Sequence, residues 1–172
     1  MLCQTRAMTT QPRTSPVDTP ALWAGLALIA LPLLATLVRL AWPGWYLVII
    51  LMISPVLIIG YILQVVITAN GFLSARGVLR AASVRRRALI AAWLSAAGCL
   101  VTSFFFVDGG DSDWGSAFMH VIGAASDDAM GNVSAVVSLL AGIAWIGGWL
   151  WLLVEWITAL VRARKASKLA TV

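Results

Sequence analysis

The chain has 172 residues, of which 61% are hydrophobic and 11% are charged, and its formal net charge is +5. This composition excludes an ordinary soluble domain, and the long uninterrupted apolar runs predict one compact membrane domain. The basic residues lie beside those runs, as membrane topology requires, so the positive charge does not indicate a nucleic-acid partner. The sequence has one histidine, the distant pair Cys3 and Cys99, and no CxxC motif. It therefore predicts no metal centre, no cofactor and no disulfide.

Residues 1–20 are polar, rich in Thr and Pro, and predict a disordered cytoplasmic tail. Four apolar runs follow, at about 21–42, 45–69, 88–107 and 133–161, and a basic tail follows them at 162–172. Each run is long enough to cross the hydrocarbon core as a helix, and Pro32 predicts a bend in the first. The connection Pro43-Gly44 is so short that the second helix must return beside the first. The fold class predicted for residues 21–161 is therefore all-α, with four transmembrane helices in an antiparallel bundle.

The charges predict the orientation of this bundle. The connection between the second and third spans carries five arginines and no acid: Arg76, Arg80, Arg85, Arg86 and Arg87. The longest connection, Asp108–Asn132, holds five of the seven acidic residues. The positive-inside rule then places both termini in the cytoplasm and leaves Arg39 as the one base near the outer surface. We expect Arg39 to pair with Asp108, the acid of the outer loop that lies nearest the membrane.

Within the outer loop, residues 117–125 (AFMHVIGAA) are apolar but too short to cross, and predict an interfacial segment. The preceding stretch, DGGDSDWG, has a faint similarity to a calcium loop, but it lacks the further ligands and the late Glu of such loops. An acidic solvated connection is the simpler interpretation.

The third span carries small residues at four-residue spacing, among them Ala91, Ser95 and Cys99. This spacing places them on one face of a helix. In a bilayer, a face of small residues lets another helix approach closely, and its hydroxyls can bond across the contact or back to their own backbone. The stripe therefore predicts a helix-packing surface.

Two polar residues within the apolar runs are candidates for an intramembrane site, Glu155 and Gln64. A carboxylate at membrane depth can carry protons or hold a cation. A span that begins at Val133 could, however, end near Leu152, which would place Glu155 at the inner interface within reach of the basic tail or the arginine-rich connection. An isolated membrane glutamine is more often an interhelical hydrogen bond than a ligand contact.

The sequence shows no nucleophile–base pair, phosphate loop or axial haem pair, so it does not predict an enzyme. We expect a small membrane protein that serves as an accessory, assembly or interaction subunit of a bacterial inner-membrane complex. Its expected partners are a membrane protein or further copies of itself, together with anionic lipid at the cytoplasmic face. The alternative is a small oligomeric proton- or cation-coupled transporter or channel that uses Glu155 and Gln64.

Overall fold

A computed structural model describes residues 18–74, 77–110 and 113–169, with side chains as far as residue 165. Most of the predicted N-terminal tail, together with Cys3, Arg76, Asp111 and the side chain of Lys168, lies outside the described residues. The described part is helical: α1 is Thr19–Ala41, α2 is Trp45–Met52, α3 is Ser54–Thr68, α4 is Arg85–Phe105, α5 is Ala117–Val121 and α6 is Asp128–Leu169. A π-helical turn (Ala69–Leu73) and a 3-10 turn (Val78–Arg80) lie between α3 and α4, and two short antiparallel strands, β1 (Asp108–Gly109) and β2 (Trp114–Gly115), follow α4.

Four of the helical segments are long and apolar enough to cross a membrane: Thr19–Ala41, Ser54–Leu73, Arg85–Phe105 and Asp128–Lys165. The number, length and hydropathy of these segments confirm the prediction of a multi-pass helical membrane protein. The second span predicted from the sequence, 45–69, is divided at Ile53, two residues before Pro55, into α2 and α3, and the span-capable segment begins after this break. The interfacial segment predicted over 117–125 is helical only over the five residues of α5.

The last helix is longer than the predicted span. It begins at Asp128, before Val133, and continues through most of the predicted basic tail to Leu169, a length of 42 residues. At about 1.5 Å per residue this corresponds to about 63 Å, whereas a bilayer with its headgroup layers is about 40–45 Å thick. Part of α6 must therefore extend beyond the membrane or tilt strongly within it.

The packed core lies at the end of the molecule where α1 and α4 begin. Helix α4 packs against both α1 and α6, and α3 lies against α1. The core side chains come from every membrane helix: Ala21, Ala24, Leu28, Ile67, Phe72, Leu79, Ala88, Ala91, Ala92, Ala96 and Leu152. By contrast, α2 has no buried residue, so the middle of the α2–α3 segment is covered by little of the chain.

Candidate functional site

The predicted small-residue stripe faces the neighbouring helices. Ala91, Ser95 and Cys99 are all buried, on the helix that packs between α1 and α6. The Ser95 hydroxyl has no hydrogen-bond partner within the described residues, whereas the hydroxyl of Ser103 on the same helix donates to the Ala35 carbonyl of α1 at 2.7 Å. The stripe therefore contributes mainly through its small side chains, which let the neighbouring helices approach closely.

Two glycines bring the backbones of α4 and α6 into direct contact. A Cβ atom on Gly98 would lie 2.8 Å from the Ala141 carbonyl oxygen of α6. One on Gly148 would lie 2.8 Å from the Ser95 amide nitrogen of α4. Both distances are shorter than a real Cβ contact, and the opposing atoms belong to backbone, so any larger residue would force the helices apart. Gly98 lies three residues after Ser95 and was not part of the predicted stripe.

Glu155 lies at the end of this helix contact. Along α4 from Gly98 to Arg87, the opposing positions of α6 run from Ala141 through Gly148 to Glu155, so the two helices are antiparallel. Arg87 is in the first turn of α4. The carboxylate is therefore level with the start of α4 rather than with its middle.

The Glu155 carboxylate is buried, with 8% of the residue exposed, and has two partners. The Arg87 Nε lies 3.2 Å from its Oε1, and the indole of Trp151, one turn earlier on α6, donates to the same oxygen at 3.3 Å. About half of the Arg87 side chain remains exposed. The pair joins α4 to α6 and neutralises the carboxylate, as buried charges require. Arg162, which sequence reasoning considered as a partner, is exposed.

Gln64 repairs a broken hydrogen bond in another helix. Pro32 of α1 has no N–H, so the carbonyl four residues earlier, that of Leu28, lacks its helical donor. The Gln64 amide of α3 donates to that carbonyl at 2.5 Å, and the Tyr61 hydroxyl, one turn away, donates to the next carbonyl, that of Ile29, at 3.0 Å. Sequence reasoning missed this relation, although a proline in one helix and a glutamine in its antiparallel neighbour are the signal for it.

The structure does not bring Gln64 and Glu155 together. The side chain of each has its own partners, on α1 for Gln64 and on α4 and α6 for Glu155. No hydrogen bond joins the two within the described ranges of the chain. The proposed two-residue polar site is thus two separate interhelical contacts.

Arg39 and Asp108 are brought together, in a junction that holds three elements. The Arg39 Nη2 lies 2.9 Å from the Asp108 Oδ2, and both side chains are close to 90% buried. The Tyr46 amide, in the first turn of α2, donates to both carboxylate oxygens at 3.1 Å. The Cβ position of Gly44 lies in contact with this carboxylate, so a side chain there would displace it. Asp108 therefore caps α2, whose own N-cap residue, Gly44, offers no side chain.

An aromatic contact supports the same junction. The Arg39 guanidinium lies 5.3 Å from the centre of the Phe106 ring and donates to the Phe106 carbonyl at 3.3 Å. The Tyr46 ring lies 4.4 Å from that of Phe106. These contacts attach the ends of α1 and α4 and the start of α2 to one another.

A half-open cleft of about 200 Å³ lies beside the junction, and its lining includes Arg39, Asp108, Asp113 and His120. The His120 Nδ1 lies 3.8 Å from the Asp113 Oδ2, which joins α5 to the acidic stretch before β2. Two residues of the calcium-like stretch, Asp111 and Ser112, lie outside the described part of the chain. In the part that is described, no group of three or more His, Cys, Asp or Glu side chains is placed to hold a metal ion.

The arginine-rich connection is attached to the start of α1. Asp18, just before α1, forms a close ion pair with Arg85, and the Arg80 Nε lies 3.9 Å from the same carboxylate. Arg80 also donates to the Ser74 carbonyl at 3.0 Å. Sequence reasoning assigned Asp18 to the disordered tail and did not foresee this contact. Comparison with protein-family models, with curated proteins and with solved structures finds no match for this chain.

Proposed function

We propose that this chain is a non-enzymatic accessory, assembly or interaction subunit of a bacterial inner-membrane complex. It is a multi-pass protein of the cell membrane, with both termini in the cytoplasm. It acts through contacts with another membrane protein or with further copies of itself, and through anionic lipid at the cytoplasmic face.

The contacts that Glu155 and Gln64 make with neighbouring helices are the observation that supports this proposal best. Glu155 is buried and paired with Arg87 at the start of α4, and Gln64 is occupied by the Leu28 carbonyl. A transported proton or cation would need a polar group that can exchange partners between the two sides of the membrane. Both candidates instead hold helices together, which is the ordinary role of polar residues in a membrane protein that works through packing.

The orientation and the lipid contact follow from the charges. The ends of α1 and α4 where Asp18, Arg85 and Arg87 lie carry most of the basic residues, and the opposite end carries the acidic loop. Arg86 and Arg162 are exposed at the basic end. Each such base near an anionic leaflet is worth about 1 kcal/mol of attraction.

Two measurements test the proposal. A tagged chain, solubilised from bacterial membranes in a mild detergent, should co-migrate on native gels with a membrane protein in fixed stoichiometry or as a multiple of its own mass. Purified chain in proteoliposomes should show no pH-dependent cation flux. A flux that disappears in Glu155→Gln, while the variant keeps the thermal stability of the unchanged chain, would contradict the proposal and establish the transporter alternative.

A further inference from the structure

Pro32 and Pro55 each remove one backbone hydrogen bond from a helix, and the two carbonyls that lose their donors have different surroundings. At Pro32, the carbonyl that loses its helical donor, that of Leu28, receives the Gln64 amide at 2.5 Å. At Pro55, the carbonyl in the same position is that of Leu51. No side chain in the described part of the chain donates a hydrogen bond to Leu51. The hydrogen bond lost at Pro32 is thus replaced by Gln64, whereas no described side chain replaces the one lost at Pro55.

The backbone around Pro55 confirms that the helical ladder is interrupted. The Val56 amide bonds to the Ile53 carbonyl at 3.0 Å, three residues back rather than four. The Ile53 amide is shared between the Ile49 carbonyl, at 3.0 Å, and the Leu51 carbonyl. Among the described residues, the Leu51 carbonyl therefore receives only a share of the Ile53 amide, from two residues away.

This break lies in the most exposed part of the membrane segment. Leu51 and Met52 are 63% and 77% exposed. In a bilayer, exposure means contact with lipid, which offers no hydrogen-bond donors. Irregular backbone at membrane depth is tolerated only where protein or enclosed water covers it. The break thus calls for a covering partner that carries a donor.

We propose that the partner is a second copy of this chain, packed through the same α2–α3 break around a two-fold axis. The donor is the Ser54 hydroxyl, which makes no hydrogen bond to any described residue. Ser54 and Leu51 are three residues apart in the chain and flank the break at Ile53. In a two-fold contact, each copy's Ser54 reaches the other copy's Leu51 carbonyl. A surface with a donor and an acceptor side by side is self-complementary, as an isologous interface requires.

The surrounding face suits such a contact. Met52, Val56 and Ile59 recur at near-helical spacing and are all strongly exposed, and residues 45–68 contain no charged side chain that would repel its copy. Gly60 lies in the same segment, and nothing comes within 4 Å of where its Cβ would be. A glycine in this position lets two helices approach closely. The inference goes beyond the proposed function, because such a dimer is compatible with a binding subunit and with a transporter alike.

Cysteine cross-linking in native membranes tests the contact. The background chain carries Cys3→Ser and Cys99→Ala, and Met52→Cys is added to it. The matched control is Ile143→Cys on α6, a position that is 63% exposed and outside the proposed face. Brief oxidation should give a covalent dimer from Met52→Cys in several-fold higher yield than from the control. Equal yields from the two positions, or a Met52→Cys product that contains a different protein instead of a second copy, would overturn the proposal.

The mass of the unmodified chain in lipid nanodiscs provides a second measurement that needs no cysteine. We expect twice the chain mass of 18.3 kDa. Ser54→Ala removes the donor, and Pro55→Ala returns an amide to the Leu51 carbonyl. Both variants should shift the population toward monomer, with unchanged helical content by circular dichroism. A monomer of the unmodified chain, or a dimer that neither substitution weakens, would refute the reciprocal bond.

Discussion

Gly147 and Gly148 of α6 are adjacent residues with opposite surroundings, and they provide a matched test of the α4–α6 contact. A Cβ on Gly147 would meet nothing within 4 Å, whereas one on Gly148 would lie 2.8 Å from the Ser95 amide nitrogen and 2.9 Å from the Ala91 carbonyl oxygen. Ordinary Cβ contacts begin at 3.4 Å. Gly148→Ala must therefore separate the two helices by about half an ångström, because the opposing atoms are backbone and cannot turn away.

The expected difference in the free energy of unfolding between the two alanine variants follows from two terms. Replacing Gly by Ala in a helix interior stabilises the helix by about 1 kcal/mol, and this gain applies equally to both positions. Overpacking a filled interface costs about 1–3 kcal/mol, and this cost applies to Gly148 alone. Gly147→Ala should thus raise the free energy of unfolding. The free energy of unfolding of Gly148→Ala should be about 1–3 kcal/mol lower than that of Gly147→Ala.

Unfolding in mixed micelles with increasing fractions of a denaturing detergent, followed by circular dichroism, measures this difference directly. Thermal inactivation of the solubilised chain offers an independent ranking. If the two variants unfold at the same detergent fraction, then α4 and α6 are not in backbone contact at this point. The registration that places Glu155 level with Arg87 would then also be wrong.

Three further outcomes are expected. Gln64→Leu should lower the free energy of unfolding by about 1 kcal/mol, and by much less in a Pro32→Ala background, where the backbone amide of α1 is restored. An equal loss in the unchanged chain and in the Pro32→Ala background would show that Gln64 does not replace the missing donor to the Leu28 carbonyl. Asp108→Asn keeps an acceptor for the Tyr46 amide of α2 but removes the charge opposite Arg39, so it should cost less than Asp108→Ala, which we expect to lose about 1–3 kcal/mol; equal losses would show that the cap contributes nothing. Reporter fusions after Ser83 and Ser116 should report cytoplasm and outer side respectively, and the reverse pattern would invalidate the orientation.

The sequence was sufficient to predict the four apolar helices, since length and hydrophobicity alone decide whether a segment can cross a bilayer. It was not sufficient to predict where α6 ends. The boundary at Val161 was drawn where apolar residues give way to basic ones, a change in composition that is not itself a signal for the end of a helix. No Gly or Pro follows Gly148, and Ala, Arg, Lys and Leu are strong helix formers, so the helix continues to Leu169.

The partners of the polar residues were harder to predict, because they depend on the register between helices. Gln64 was expected to make an interhelical hydrogen bond, but its acceptor is chosen by Pro32 on a different helix. Asp108 was paired with Arg39 on topology alone, and the structure places them 2.9 Å apart. The amide of Tyr46 was not foreseen in that junction, since nothing in the local sequence of α2 shows that its cap comes from another part of the chain.

The charged contacts attach α4 to α1 and α6, whereas the middle of the α2–α3 segment is less firmly attached to the other helices. Helix α4 is attached to α6 at its start, through Arg87 and Glu155, and to α1 just after its end, through Asp108 and Arg39. Sliding either neighbour by one turn along α4 would separate one of these pairs and leave a largely buried carboxylate, that of Glu155 or of Asp108, without its basic partner, which is costly. Within the described residues, the α2–α3 segment is attached at its start, by Asp108 at Tyr46, and over the later part of α3, by the bonds from Tyr61 and Gln64 to α1 and by the core around Ile67. Contact with a second copy of the chain is therefore expected at the middle of α2–α3, where the described residues leave both apolar surface and the Leu51 carbonyl uncovered.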